Sequence, residues 1–186
     1  MRIISGKFKN KKIIQPLDKL TRPLKDITKE SIFNILLHSK FINIQIENSK
    51  ILDLFSGSGS FGLECLSRGA KKVIFCENYY PVLKILEQNI INIGCLNKTE
   101  IIKEDTFKIL KEKKINEKFN LVFLDPPFKE EKISELLINL KNSKILEKNG
   151  IIILHRNRKS KDNFSQGFNI LIEKFYGLSK IYFIEF

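Results

Sequence analysis

Ile51-Leu52-Asp53-Leu54-Phe55-Ser56-Gly57-Ser58-Gly59-Ser60-Phe61-Gly62 is the stretch that decides how this chain folds. An apolar run ends in an acid, enters a glycine-rich turn, and leads into a helical pattern that continues to about Arg68. Gly57, Gly59 and Gly62 spell G-x-G-x-x-G, and Glu77 follows Gly57 by 20 residues. Strand, turn and helix in that spacing present backbone N–H groups to a nucleotide. The fingerprint alone admits a nicotinamide or flavin enzyme.

Asp53 tilts the choice. A carboxylate at the strand end would repel a pyrophosphate, but would attract the ammonium and sulfonium of S-adenosylmethionine. The helix start after Gly59 can still receive an anion, here the methionyl carboxylate. Glu77, ending a strand over 72–77, suits ribose hydroxyls of either cofactor. Asp105, after a strand near 99–103, suits an adenine amino group, and equally suits the N-cap of the helix that opens at Thr106. Phe55, Asn78 and Thr106 stand beside these acids and complete the candidate cofactor set.

Outward from the glycine turn, strands and helices alternate. Strands are predicted at 51–55, 72–77, 99–103, 119–124 and 150–155, and helices at 59–68, 79–93, 105–113 and near 130–141. Alternation of this kind gives a parallel sheet covered on both faces. Gly94 falls at a helix stop and Gly150 at a strand-entry turn. Two closing strands, near 168–175 and 180–186, are joined by Tyr176-Gly177-Leu178-Ser179, too short for a parallel crossover, so they pair antiparallel. Ahead of the sheet, residues 2–15 read as a small hairpin ended by Pro16. A helix follows from about Asp26 to His38, with Asp26 in its cap region.

The second informative string is Leu121-Val122-Phe123-Leu124-Asp125-Pro126-Pro127-Phe128. An exocyclic amine on a nucleobase is a poor nucleophile, because its lone pair is delocalised into the ring. A site that uses it must accept its N–H bonds and aim it. Asp125 offers a carboxylate, and the Asp125 and Pro126 carbonyls offer more. Consecutive prolines, Pro126 and Pro127, stiffen the lip and remove two donors. Phe128 offers a face for stacking.

The chain has 186 residues, 42% of them hydrophobic, enough for one sizeable core. Cys65, Cys76 and Cys95 are scattered without a C-x-x-C pair, so reduced thiols in the cytoplasm are expected, with no disulfide frame and no metal site. No run is apolar enough for a membrane span or a signal peptide. His38 and His155 have no evident partner in sequence and are not read as catalytic. The 33 basic and 21 acidic residues leave a net charge of +12, which suits a polyanionic partner. Residues 1–29 concentrate the excess in Arg2, Lys7, Lys9, Lys11, Lys12, Lys19, Arg22, Lys25 and Lys29, and Arg156, Arg158, Lys159 and Lys161 form a second cluster beyond the fifth core strand. Such groups position RNA through its phosphates.

The turn Asp53–Gly59 together with the Asp125–Phe128 lip resembles class I S-adenosylmethionine-dependent amino methyltransferases. Arg2-Ile3-Ile4-Ser5-Gly6-Lys7-Phe8, the stretch from Thr21 to Leu36, and Phe175-Tyr176-Gly177-Leu178-Ser179-Lys180 are similar to bacterial 16S ribosomal RNA guanine-N2 methyltransferases. The resemblance spans essentially the whole chain. It implies a Rossmann-like, mostly parallel seven-stranded sheet, with an N-terminal basic extension (1–40) ahead of a methyltransferase domain (41–186). It implies S-adenosylmethionine at Asp53, Phe55, Gly57, Gly59, Glu77, Asn78, Asp105 and Thr106, and a guanine amino group at Asp125, Pro126, Pro127 and Phe128. The implied partner is 16S ribosomal RNA, in the small subunit or its assembly intermediate, contacted by Arg2, Lys7, Lys9, Lys11, Lys12, Arg22, Arg156 and Arg158; the chain itself is expected to be a monomer. Two other readings stay open: adenine-N6 methylation of DNA or RNA, which shares the lip, and an RNA-binding assembly factor without turnover.

Overall fold

Both faces of the central strands are covered, which is why they read as near-continuous apolar runs. The computed structural model describes residues 1–17, 23–164 and 166–186. In chain order the elements are α1 (Asp26–His38), β1 (Lys50–Leu54), α2 (Ser60–Ser67), β2 (Lys72–Cys76), α3 (Tyr80–Ile93), a short 3-10 turn (Leu96–Lys98) and β3 (Thr99–Ile102). Then follow α4 (Thr106–Lys111), β4 (Phe119–Leu124), α5 (Ile133–Ser143), β5 (Leu146–Asn157), β6 (Asn169–Tyr176) and β7 (Ser179–Glu185).

These strands form one sheet in the order β3-β2-β1-β4-β5-β7-β6. β1 to β5 run parallel, while β7 pairs antiparallel with both β5 and β6. The strand order reverses between β1 and β4, and ligands of open α/β sheets bind in the crevice at such a reversal. Alternate residues feed separate cores. Ile51, Phe75, Phe123, Ile153 and Phe183 share one with Phe33 and Phe61 of α1 and α2. Leu52, Leu54, Val122, Leu124, Leu154 and Ile184 share the other with Leu136, Leu137 and Leu140 of α5. Phe61 lies stacked between Phe33 and Phe123, with ring centroids 5.2 and 3.9 Å away.

Three local expectations need correction and one is refined. First, the N-terminal hairpin forms but is short: one antiparallel bridge joins Arg2 and Lys12, with the Ile3 N–H donating to the Lys11 carbonyl and the Ile13 N–H to the Met1 carbonyl. Other backbone donors of the segment go to α2. The N–H groups of Ile4 and Ser5 donate to the Glu64 carboxylate at 2.7 and 3.0 Å, and the Lys7 N–H donates to the Ser67 carbonyl. Gly6 makes this approach possible, since a Cβ there would lie 1.9 Å from that carbonyl oxygen. Second, Lys29 is not part of a solvated basic surface. It is wholly buried, donates to the Arg2 carbonyl at 2.9 Å, and lies 3.8 Å from both Glu64 and Asp26. Burial pulls its ammonium below the usual lysine range, with Glu64 and Asp26 opposing the shift. Third, Lys25 takes the N-cap position of α1 and Asp26 falls in its first turn. Fourth, Gly150 lies inside β5, which begins earlier at Leu146 and slips register against β4 between Phe119 and Leu121. Among the described residues no helix is long and apolar enough to cross a membrane.

Candidate active site

The carboxyl ends of β1, β2 and β4 bring three acids to one rim. Asp53 stands on β1 in register with Phe123, so Asp125, the residue just past the end of β4, continues that face. Asp53 is buried, and its Oδ2 accepts from the Gly62 N–H at 2.9 Å. No lysine or arginine pairs with Asp53, Glu77 or Asp125 among the described residues. Burial pushes the Asp53 carboxyl well above the ordinary carboxylate range. The Gly62 N–H opposes the shift, while the Asp125 and Glu77 charges reinforce it. A buried acid raised by its surroundings and facing like charges suits a cationic ligand. The donor set therefore fits an ammonium or sulfonium and disfavours a pyrophosphate.

The turn itself is held by side chains. Phe55, Gly57 and Gly59 have φ of 58°, 55° and 79°; such a value is rare at a phenylalanine and marks a constrained turn. Glu77 fixes that turn: its Oε2 accepts from the Gly57 N–H at 2.8 Å, and its Oε1 accepts from the N–H groups of Asn78 and Tyr79, both at 2.9 Å. Oε1 has both lone pairs engaged, whereas Oε2 accepts a single N–H and keeps a second lone pair for a hydroxyl. A Cβ on Gly62 would meet the Phe75 ring at 2.4 Å, so glycine there lets α2 lie close on β2. Asp105 is the N-cap of α4, its side chain accepting from the Lys108 N–H at 3.0 Å. Its other oxygen lies 3.5 Å from the Asn78 amide, which ties two candidate residues together. Thr106 does not face the rim, because its buried hydroxyl is 3.3 Å from Cys76 Sγ. Phe107, which no sequence motif marks, meets Phe55 edge-on at 6.3 Å.

On the lip, Asp125 Oδ1 lies 2.7 Å from His155 Nδ1, and His155 Nε2 lies 2.9 Å from Ser179 Oγ. The Phe128 ring, only partly buried, meets the same imidazole edge-on at 5.7 Å. The expectation that His155 has no partner is thus corrected. Register explains the meeting. Phe123 pairs with Ile153 and Asn157 pairs with Ser179, so Asp125, His155 and Ser179 continue one face across three strands. Aligning the alternations 121-123-125 and 151-153-155 would have exposed the first of these contacts.

Arg156 is also corrected. Its side chain is buried, Nε donates to Asp162 at 2.8 Å, and Nη1 and Nη2 donate to the Pro127 and Glu130 carbonyls at 3.2 and 2.7 Å. It clamps the lip from behind rather than waiting for a phosphate. Arg158 is exposed and stacks over Phe175, 5.3 Å from the ring centroid, at the same end of the sheet as the lip. Arg2, Lys7, Lys9, Lys11 and Lys12 are exposed as expected, but not beside the acids. Lys7 lies against Ser67, at the far end of α2, and Lys11 Nζ donates to the Ile93 carbonyl at the end of α3. An eight-residue helix separates that group from the glycine turn, roughly 12 Å at 1.5 Å per residue. The chain then returns to the rim, where Gln15 donates to Ser58 Oγ at 3.0 Å. Arg22 lies outside the described residues.

Over residues 1–185 the chain matches the family described as Conserved hypothetical protein 95. It is 32% identical over 179 residues to ribosomal RNA small subunit methyltransferase D of Haemophilus influenzae, covering 96% of this chain and 90% of that one. To the protein of the same name from Buchnera aphidicola subsp. Baizongia pistaciae it is 30% identical over 183 residues, covering 98% and 89%. Among solved structures it is similar to the Haemophilus influenzae protein HI0767, with 31% identity, a TM-score of 0.78, and 98% and 96% coverage. A Thermus thermophilus protein, TTHA0928, shares the fold at a TM-score of 0.80 and 22% identity, covering 100% and 99%.

Proposed function

The chain belongs to the Conserved hypothetical protein 95 family, and from that premise we propose that it methylates the exocyclic N2 amino group of a guanine in small-subunit ribosomal RNA. S-adenosylmethionine is the proposed donor, and 16S RNA in the small subunit or its assembly intermediate the proposed substrate. The chain acts as a monomer in the cytoplasm. The observation that carries the reading is the group of acids at adjacent strand ends, Asp53, Glu77 and Asp125, with no lysine or arginine against them among the described residues. Relatives named ribosomal RNA small subunit methyltransferase D support RNA as the substrate.

Asp53 would face the cationic part of the donor, Glu77 its ribose and Asp105 its adenine, with Phe55 and Phe107 beside the base. Bound there, the donor supplies an electron-poor methyl group on a sulfonium. Asp125 Oδ2, which has no bonded partner among the described residues, accepts one amine N–H, and the Pro126 carbonyl accepts the other. These bonds hold the nitrogen out of conjugation with the ring and aim its lone pair. Phe128 stacks the base, and Arg156 keeps the lip from yielding. The alkylated nitrogen then loses its proton to Asp125 or to water. A base drawn from a duplex first has to be flipped out, at a cost of a few kcal/mol. Arg2, Lys7, Lys9, Lys12 and Arg158 grip phosphates away from the reacting atoms.

The test is transfer of tritiated methyl groups to small ribosomal subunits that lack the modification, followed by nucleoside identification. N2-methylguanosine is the expected product. N6-methyladenosine would move the target to adenine, and RNA binding without transfer would leave a non-catalytic assembly factor.

A further inference from the structure

Ser179, His155 and Asp125 are spaced like a hydrolytic triad, at 2.9 and 2.7 Å. Their exposure runs the opposite way. In a hydrolase the acid is buried and the serine faces substrate. Here Ser179 is 5% exposed at the start of β7, His155 is 1% exposed, and the Asp125 side chain is 19% exposed at the cleft. The working end of this chain of bonds is therefore the acid.

Proton placement follows from the partners. An ionised carboxylate only accepts, so between it and a neutral imidazole Nδ1 carries the hydrogen, which leaves Nε2 to accept from the Ser179 hydroxyl. With a proton already on Nδ1, the imidazole does not take a second one there when Asp125 collects the amine proton. That proton stays on Oδ2 until water removes it. What the imidazole does is occupy Oδ1, leave Oδ2 as the oxygen available to substrate, and set its ring edge against Phe128. Two of the lip groups are thus oriented by one buried ring, itself oriented by β7.

We propose that His155 is a positioning residue for amine methylation, turning Asp125 Oδ2 toward the substrate nitrogen through the Ser179–His155–Asp125 chain of hydrogen bonds. The inference rests on the methyl-transfer reading above and adds a residue to it. Two substitutions separate the role from simple packing. Asn superimposes its amide nitrogen on Nδ1 and keeps the bond to Asp125, whereas Gln reaches the Nε2 position and keeps only the contact with Ser179.

Full-length His155→Gln should lose about tenfold to a hundredfold in kcat, the penalty of a misplaced reacting group, with KM for the subunit unchanged. His155→Asn should retain most of the wild-type kcat, and melting temperatures of the two variants should be similar. In nitrogen-15 spectra of wild type, Nδ1 should carry the proton, and its resonance should move in Asp125→Asn. Equal loss in both variants, tracking loss of thermal stability, would overturn the proposal, as would an Nδ1 without a proton. A wild-type chain that transfers no methyl group would overturn the proposed function instead, and with it the reaction that His155 is said to serve.

Discussion

Asp53 and Glu64 are both buried carboxylates tied to α2, yet their surroundings are opposite. Glu64 accepts from two backbone N–H groups, lies 2.8 Å from Arg68 Nε, and has the buried Lys29 ammonium at 3.8 Å. Asp53 accepts from one backbone N–H and faces only other acids. A compensated buried charge joins parts of a protein, here the N-terminal segment and α1 to α2. An uncompensated one is a standing cost to the fold, and it is retained where a ligand supplies the missing charge.

The largest effect should come from the compensated side. Glu64→Ala strands two backbone donors and leaves the buried Lys29 with only Asp26 and the Arg2 carbonyl, and should remove about 3–5 kcal/mol of stability in urea unfolding; a loss below about 1 kcal/mol would erase the contrast. On the other side, Asp125→Ala should lower methyl-transfer kcat by about a hundredfold to a thousandfold, with affinity for S-adenosylmethionine kept. Equal losses in both would assign Asp125 to the cofactor.

Asp53→Asn should behave unlike Glu64→Ala, leaving stability unchanged or raising it by about 1 kcal/mol near neutral pH. The pH dependence has a definite sign. Because the folded carboxyl titrates above its unfolded value, its contribution is fully present below about pH 4 and is lost as pH rises through the raised folded value. Stability of the ligand-free wild type should therefore fall across that window relative to Asp53→Asn, as urea midpoints at successive pH values would show. Parallel curves would mean that Asp53 is compensated after all. Smallest is the basic segment. Neutralising Lys9 and Lys12 should make the salt dependence of RNA binding shallower, by about 0.7 in slope for each phosphate that the protein no longer neutralises. Neutralising Lys11, already bonded to Ile93, should change it least.

The parts legible in sequence are those written in local pattern. The alternating units, the bounds of α1, the C-cap at Gly94 and the closing antiparallel pair all follow from periodicity and turn residues. The acids at strand ends were legible for the same reason, since a strand that stops in Asp or Glu announces itself. What escaped depends on partners far apart in the chain. Lys29 reads as one more surface lysine until Glu64 is brought beside it. His155 reads as a lone histidine until β4, β5 and β7 are set in register. Arg156 looks like a phosphate ligand until Asp162 and the carbonyls of the lip occupy its guanidinium.

The central claim is that an unpaired carboxylate beside the glycine turn waits for a cationic ligand. Calorimetric titration of S-adenosylmethionine into wild type and Asp53→Asn tests it most directly. The account predicts saturable binding to wild type and at least about tenfold weaker binding to a variant that is no less stable. Equal affinity in the two proteins, or no binding to wild type, would contradict it.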